Sequence, residues 1–268
     1  MKIIVCIKQV PDHQAPRDSY VVNSKENRVE PRGIPPVLSD YDERALEAAL
    51  KIRDALGTDV GITVLTLGKR ISRPVMLKAL AAGADDLVKV EDPIFDEEST
   101  DTYIKATFLA AAVRKIGQYD LLLLGRQSSD WNSGQTAFVL AALLKIPIIT
   151  LAKQIAIVGN TLRVARALQH GWEVAESRLP AVVMVTNEMG ELRYPTVIQR
   201  KNANAKPVLS WNSRDLSLPE PGERKIVVAA VAASQVRQRQ CRFIEGATPQ
   251  EAGERLAALL AAYKIVQQ

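Results

Sequence analysis

The stretch with the most chemical content is Asp120-Leu-Leu-Leu-Leu-Gly125-Arg126-Gln127-Ser128-Ser129-Asp130-Trp131-Asn132-Ser133-Gly134-Gln135-Thr136. An apolar run ends at Gly125, small and polar residues follow, and a helical pattern begins near Gln135. Glycine at 125 and 134 permits a close backbone approach or a positive φ. The free N–H groups and positive dipole at the start of that helix attract phosphate. Thr136 adds a hydroxyl, Arg126 a positive charge, and Trp131 a ring able to stack. The chemistry this suggests is non-covalent capture of a nucleotide, although a polar loop with an ordinary helix cap has the same composition. The segment is not G-x-x-x-x-G-K-[ST], and no G-x-G-x-x-G occurs anywhere in the chain. The S-G-G-x-D-S loop of ATP pyrophosphatases is also absent; Ser133-Gly134-Gln135-Thr136 is a faint echo of it.

Other reactive side chains are scattered. Cys6 and Cys241 stand near opposite ends of the chain, without the spacing of a disulfide framework or a zinc site. His13 and His170 are isolated and read as non-ligands. Asp101, like Ser99 and Thr100 before it, is a candidate cap for a helical pattern. No catalytic acid, base or nucleophile is assigned.

The elements that must position these residues follow a β-α-β-α rhythm. Short apolar runs at 3–7, 60–67, 87–90, 120–124 and 148–151 read as buried parallel strands. Helices are expected between them: one capped at Asp40 and ending at Gly57, with Ala45, Leu46, Ala49, Leu50, Ile52 and Leu56 on its apolar stripe, one from Ser72-Pro74 to Gly83, one from Ser99, Thr100 or Asp101 to about Ile116, and one over 135–145. Residues 11–38 are rich in proline and read as a long loop with a small hairpin around 20–22 and 29. After 151 the pattern changes to a hairpin turning at Gly159-Asn160, a strand near 172–176 and a buried strand at 181–186. Residues 187–207 show no sustained periodicity, 226–231 read as a late strand, and Pro249 opens a last helix. The fold class is α/β, a doubly wound, mostly parallel sheet whose ligands bind beyond the carboxyl ends of the strands. The expected division is a nucleotide-binding domain over 1–186 and a recognition loop with a C-terminal arm over 187–268.

Composition excludes several classes. Of 268 residues, 47% are apolar and 24% charged, which argues against wholesale disorder. A chain this long buries roughly three quarters of its unfolded surface, enough for a core without disulfides or metal. No run approaches the ~18 apolar residues of a membrane span. Charge returns at Lys8, too early for a signal peptide, so the cytoplasm is the expected compartment, or an organelle lumen after removal of a transit peptide. The net charge of +5 accompanies no basic patch interleaved with aromatics, so nucleic acid is not an expected partner.

Several segments, in order, give the chain a resemblance. They are Val5-Cys6-Ile7-Lys8-Gln9-Val10-Pro11-Asp12, Asp42-Glu43-Arg44-Ala45-Leu46-Glu47-Ala48-Ala49, Ala79-Leu80-Ala81-Ala82-Gly83-Ala84-Asp85, Asp120 through Gln127, Leu179-Pro180-Ala181-Val182-Val183 and Leu192-Arg193-Tyr194-Pro195-Thr196. Together they resemble the β subunit of electron transfer flavoproteins over nearly the whole length. The resemblance implies an adenine-nucleotide α-hydrolase-like (Rossmann-like) fold and a heterodimer with a larger α subunit that carries FAD. It implies AMP in the β subunit or, in the electron-bifurcating branch, a second FAD. It places the nucleotide against Cys6, the segment Ser39, Asp40, Tyr41 and Asp42, Leu67, and the loop from Gly125 to Thr136. The chain departs from the family pattern in two places. Ser39-Asp40 stands where Asn-Pro is usual, and Ser128-Ser129 where Ala-Ile is usual.

Lys8-Gln9-Val10-Pro11-Asp12, Arg32-Gly33-Ile34-Pro35-Pro36 and the pair Asp101-Thr102 resemble the bifurcating branch, which favours FAD over AMP in this subunit and allows oxidation of NADH. The resemblance further implies that residues 188–205 dock an acyl-CoA dehydrogenase-type flavoenzyme, with Val197 as apolar anchor amid Arg193, Tyr194, Arg200 and Lys201. Two readings stand beside it. One is a lone adenine-nucleotide-binding regulator of the universal stress protein type, which lacks an extension like 187–268. The other is an ATP-dependent ligase or lyase, which needs the missing pyrophosphate loop. The charge divides unevenly. Residues 1–192 hold 23 basic and 24 acidic residues, whereas 193–268 hold 12 and 6. The basicity therefore belongs to the segment expected to meet protein partners.

Overall fold

Buried β-branched and leucine runs leave the chain little choice but a sheet covered on both faces, and the computed structural model of the protein has that form. It describes residues 1–95, 101–218, 225–233 and 241–263. Contacts divide the chain into one unit over Met1–Val231 and a second over Ala232–Gln268. Residues 187–231 therefore group with the sheet, and the expected boundary at 186/187 is not where the contacts divide the chain.

The first unit opens with β1 (Lys2–Ile7) and a short β2 (Gln9–Val10), then the hairpin β3 (Tyr20–Asn23) and β4 (Arg28–Pro31), and β5 (Val37–Leu38), which pairs with β2. Next come α1 (Asp40–Leu56), β6 (Gly61–Gly68), α2 (Arg73–Ala82), β7 (Asp86–Glu91), α3 (Thr102–Ile116), β8 (Leu121–Gly125) and α4 (Thr136–Leu144). The unit continues with β9 (Ile148–Val158), β10 (Thr161–Leu168), β11 (Gly171–Arg178), β12 (Ala181–Val185), α5 (Val197–Ala203) and β13 (Val208–Trp211). The second unit contains α6 (Pro249–Ala262).

The main sheet runs in the order β11-β10-β9-β12-β8-β1-β6-β7-β13. The strands from β9 to β13 in that order are parallel, and β10 and β11 extend the sheet as an antiparallel hairpin. From β1 the chain first winds through β6 to β7, then returns to place β8 on the other side of β1. The β1/β8 boundary is thus the topological switch point. Alternation along β1 sends Ile3, Val5 and Ile7 into one core layer, and Ile4 and Cys6 into the other. The first layer holds the buried faces of α1 and α2, the second those of α3 and α4.

Most expected elements are present. Four readings are corrected. The cap of α1 is Ser39, and Asp40 is its first helical residue. Leu56, expected on its apolar stripe, is half exposed at the last turn. Residues 148–151 and 153–158 form one strand, β9, which bends at Leu151 (φ 59°) and shifts register against β12. Residues 226–231 form no strand, because β13, unforeseen in the sequence, pairs in parallel with β7 at that side of the sheet. Ser99 and Thr100 lie outside the described residues; Asp101 caps α3, its carboxylate accepting the Ile104 N–H at 2.9 Å.

The chain between β12 and β13 must pass β8, β1, β6 and β7, five interstrand steps or roughly 24 Å. Its ends are both woven into the sheet. Lys206 secures the far end, its ammonium donating to the carbonyl oxygens of Leu80 and Ala84 at the end of α2. Among the described residues no helix is long and apolar enough to cross a membrane.

Candidate functional site

A cleft of about 230 Å³ opens at the carboxyl ends of β1, β8 and β6. Its floor is Cys6, Ile7, Leu67, Leu124 and Gly125, the last residues of those strands. One wall is the start of α3 with Asp101, Thr102, Lys105 and Leu109. The loop Arg126, Gln127, Ser128 and Trp131, and the start of α4 with Ser133, Gly134, Thr136 and Ala137, also line the cleft. Phe95, Ile226 and Val228 complete it.

The two helix starts differ. Asp101 fills that of α3, whereas Gln135, the residue flanking α4, makes no side-chain cap and none is supplied among the described residues. The first N–H groups of α4 therefore keep their capacity to meet an anion. Gly134 holds φ at 63°, a left-handed backbone that turns the loop into the helix and suits glycine. Asn132 also takes positive φ; its N–H donates to the Ser128 carbonyl at 2.9 Å, and its side-chain oxygen accepts from Gln127 Nε2 at 3.0 Å. Trp131 is about half exposed along the cleft wall, so its ring is available for stacking.

Asp130 does not line the cleft. Its side chain, 15% exposed, pairs with Lys8 Nζ at 2.6 Å and accepts the Trp131 N–H at 2.9 Å. Burial pushes its carboxyl up, but the Lys8 charge and the hydrogen bonds from Lys8, Ser128 and Trp131 outweigh that and hold it below its ordinary value. The pair ties the loop to the end of β1 and places the Lys8 charge at the cleft.

Residues 39–42 act as a brace. Asp42 Oδ2 accepts the Lys8 N–H at 2.8 Å, and its Oδ1 accepts the Gly125 N–H at 3.1 Å. One carboxylate thus joins the strand ends on either side of the switch point. Burial pushes the Asp42 carboxyl up to about 7, against the two backbone hydrogen bonds and the Lys8 charge. Gly125 has no room for a side chain: a Cβ there would lie 2.5 Å from Asp42 Oδ1 and 2.6 Å from Tyr41 Cβ. Ser39 is buried and Asp40 approaches His13 at 3.4 Å; neither lines the cleft, nor do Tyr41, Ser129, Asn132 and Gln135. Among the described residues, the Oγ atoms of Ser39 and Ser129 are buried with no hydrogen-bond partner. Burial, and then the Asp42 charge, push the Cys6 thiol well above its ordinary value, so it stays protonated.

The segment expected to dock a partner divides by role. Tyr194, Val197 and Ile198 are 89%, 83% and 72% exposed, an apolar platform at the start of α5. Thr196 and Gln199 close that start with reciprocal hydrogen bonds. Arg200 and Lys201 are exposed on the same helix. Arg193 is engaged internally: its backbone N–H and guanidinium bind the buried carboxylate of Glu47 at 3.0 and 2.8 Å, and the guanidinium also meets Asp54 at 2.7 Å. Glu47 and Asp54, two turns apart on α1, form an acidic socket for it.

Sequence reasoning assigned no site role to Lys8, Ile7, Phe95, Lys105, Leu109, Leu124, Ala137, Ile226 or Val228. Lys105 carried a signal, four residues after Asp101 and hence on the same helix face. Ile226 and Val228 carried none beyond alternation.

The donors fit an adenine nucleotide: an uncapped helix start, hydroxyls at Ser133 and Thr136, cations at Lys8, Lys105 and Arg126, and apolar surfaces beside them. Comparisons with known proteins point to one family. Residues 28–216 match the family model described as the electron transfer flavoprotein domain. The CarD subunit of the caffeyl-CoA reductase–Etf complex of Acetobacterium woodii is 34% identical over 219 residues, 81% of this chain and 80% of the relative. The electron transfer flavoprotein subunit beta of Thermoanaerobacterium thermosaccharolyticum is 34% identical over 219 residues, 81% of each chain. The protein FixA of Azorhizobium caulinodans is 33% identical over 227 residues, 82% of this chain and 78% of the relative.

Proposed function

The chain belongs to the electron transfer flavoprotein family as a β subunit, and from that premise we propose that its cleft holds the adenine nucleotide of a heterodimeric electron carrier. The observation that carries the reading is the uncapped start of α4, which lines the same cleft as Lys105, Cys6, Leu67 and Gly125. Phosphate is read onto that helix start, with Ser133 and Thr136 as hydroxyl donors and Arg126 and Lys8 as neighbouring charges. Asp101 already occupies the start of α3, so of the pair Asp101-Thr102 only the Thr102 hydroxyl and the nearby Lys105 are assigned to the ligand.

We read the ligand as FAD. The apolar wall of Phe95, Leu109, Ile226 and Val228 suits a second ring system beyond an adenine, and the likeness to a caffeyl-CoA reductase complex subunit agrees with a bifurcating role. AMP is the second reading, favoured by the closed start of α3, which leaves one helix for one phosphate. Flavin, when bound, supplies the redox chemistry; the chain binds it, orients it and limits its contact with water. The reading as a lone stress-type regulator is set aside by the family match.

The partners follow from the same premise. A flavoprotein α subunit completes the heterodimer. An acyl-CoA dehydrogenase-type flavoenzyme docks on Tyr194, Val197 and Ile198, drawn by the basic charge of residues 193–268. NADH is the proposed electron donor.

Co-expression with the α subunit, followed by flavin and AMP quantitation, tests the assignment. Two FAD per heterodimer is the expected result. One FAD with one AMP replaces the first reading by the second. A heterodimer whose β subunit retains no nucleotide overturns both.

A further inference from the structure

Asp101 divides its carboxylate between two elements. Oδ1 accepts the Ile104 N–H of α3 at 2.9 Å, and Oδ2 accepts the N–H groups of Lys225 and Ile226, the latter at 3.0 Å. Burial pushes this carboxyl up, and the N–H donors of Ile104, Lys225, Ile226 and Tyr103 more than offset it, so it stays ionised and accepting. Residues 225–233 join no strand ladder. Their other attachments are modest. The Lys225 ammonium lies 5.9 Å from the Tyr103 ring centre, and Asn27 Nδ2 donates to the Ala229 carbonyl at 3.4 Å. Ile226 and Val228 both line the cleft. Ile226 is nonetheless 54% exposed, an apolar wall that a bound ring would cover.

We propose that Asp101 is a positioning residue that straps residues 225–228 across the mouth of the cleft and slows the release of the bound nucleotide. The inference rests on the reading of the cleft as a nucleotide site. Two charge-assisted hydrogen bonds hold the strap where its apolar side chains complete the wall. Breaking them frees Ile226 and Val228 from the ligand while leaving the α4 helix start, which meets the phosphate, unchanged. The effect falls on dissociation more than on association.

The test uses the full chain co-purified with its α subunit and loaded with AMP or with FAD. Release is followed by chase with excess unlabelled nucleotide, and backbone exchange is read at 225–228. Asp101→Asn removes the charge. Lys225→Pro removes one N–H donor and leaves the cap of α3 intact, which keeps the test sound if the first variant weakens that helix. Both are expected to accelerate release about ten-fold, the loss of roughly one charge-assisted hydrogen bond, and to increase exchange at 225–228. Unchanged release with increased exchange overturns the proposal, as does unchanged exchange in both variants. Wild-type protein that retains neither AMP nor FAD overturns the nucleotide reading itself, and so separates that failure from failure of the strap.

Discussion

The Asp42 carboxylate accepts the Gly125 backbone N–H at 3.1 Å, so the first turn of α1 is bonded directly to the end of β8. The same carboxylate holds Lys8 at the end of β1. The cleft floor is therefore braced at the one place where the winding of the sheet reverses, and two predictions concern this brace.

Gly125→Ala places a methyl group 2.5 Å from Asp42 Oδ1 and 2.6 Å from the Tyr41 backbone carbon. Neither is the free end of a flexible chain. The expected cost is about 1–3 kcal/mol of unfolding free energy, with loss of bound nucleotide. Denaturant unfolding and nucleotide content of the purified variant measure both; a variant equal to wild type in the two would show that the brace has slack.

Asp42 also makes stability depend on pH. Burial raises its carboxyl to about 7 in the folded chain, while the unfolded chain titrates near the ordinary aspartate value. Between those values the folded state binds the extra proton, so this group's contribution falls as pH rises. The slope is at most about 1.4 kcal/mol per pH unit and vanishes above the folded value. Denaturation midpoints from pH 5 to 8 are expected to show this decline in wild type and a flatter profile in Asp42→Asn. Parallel profiles would contradict the assignment.

Arg193→Ala leaves the Glu47 carboxylate buried without its guanidinium. A fully buried broken pair costs about 3–5 kcal/mol; Arg193 is partly solvent-facing, so about 2 kcal/mol is expected. Double-mutant cycles with Glu47→Gln are expected to recover part of the loss. Additive single effects would mean that the two side chains act independently.

Val197→Ala is expected to do the reverse. At 83% exposure the side chain contributes little to folding, so stability changes by less than about 0.5 kcal/mol. In a partner pocket the two lost carbons are worth about 1.6 kcal/mol, or roughly a ten-fold rise in KM for a dehydrogenase partner. Unchanged KM would remove Val197 from the docking surface.

The order of the strands in the main sheet was not legible, but most of its buried strands were legible as strands, because they announce themselves as unbroken apolar runs between glycines or polar turns. The loop from Gly125 to Thr136 was legible for the same reason: Gly125, Gly134 and the helix start are local features. The pairing of Asp130 with Lys8 was not legible, because the two lie 122 residues apart. The Glu47 and Asp54 carboxylates that hold Arg193 lie far from it in the chain, and nothing near it in sequence reveals them. Strand β13 and helix α5 are four and seven residues long, too short for a period to establish itself. The wall formed by Ile226 and Val228 depends on a tertiary tether to Asp101, which no spacing encodes.

The segment from β12 to β13 has both its ends in one sheet, a helix capped at its start, and Arg193 and Lys206 fastened to α1 and α2. Its conformational entropy is lost when the chain folds, before any partner arrives. A partner docking at Tyr194, Val197 and Ile198, as proposed, would order little further backbone, so a small apolar contact could give a complex that forms quickly and also separates quickly. For a carrier that must visit one protein after another, fast turnover of the encounter matters more than its strength.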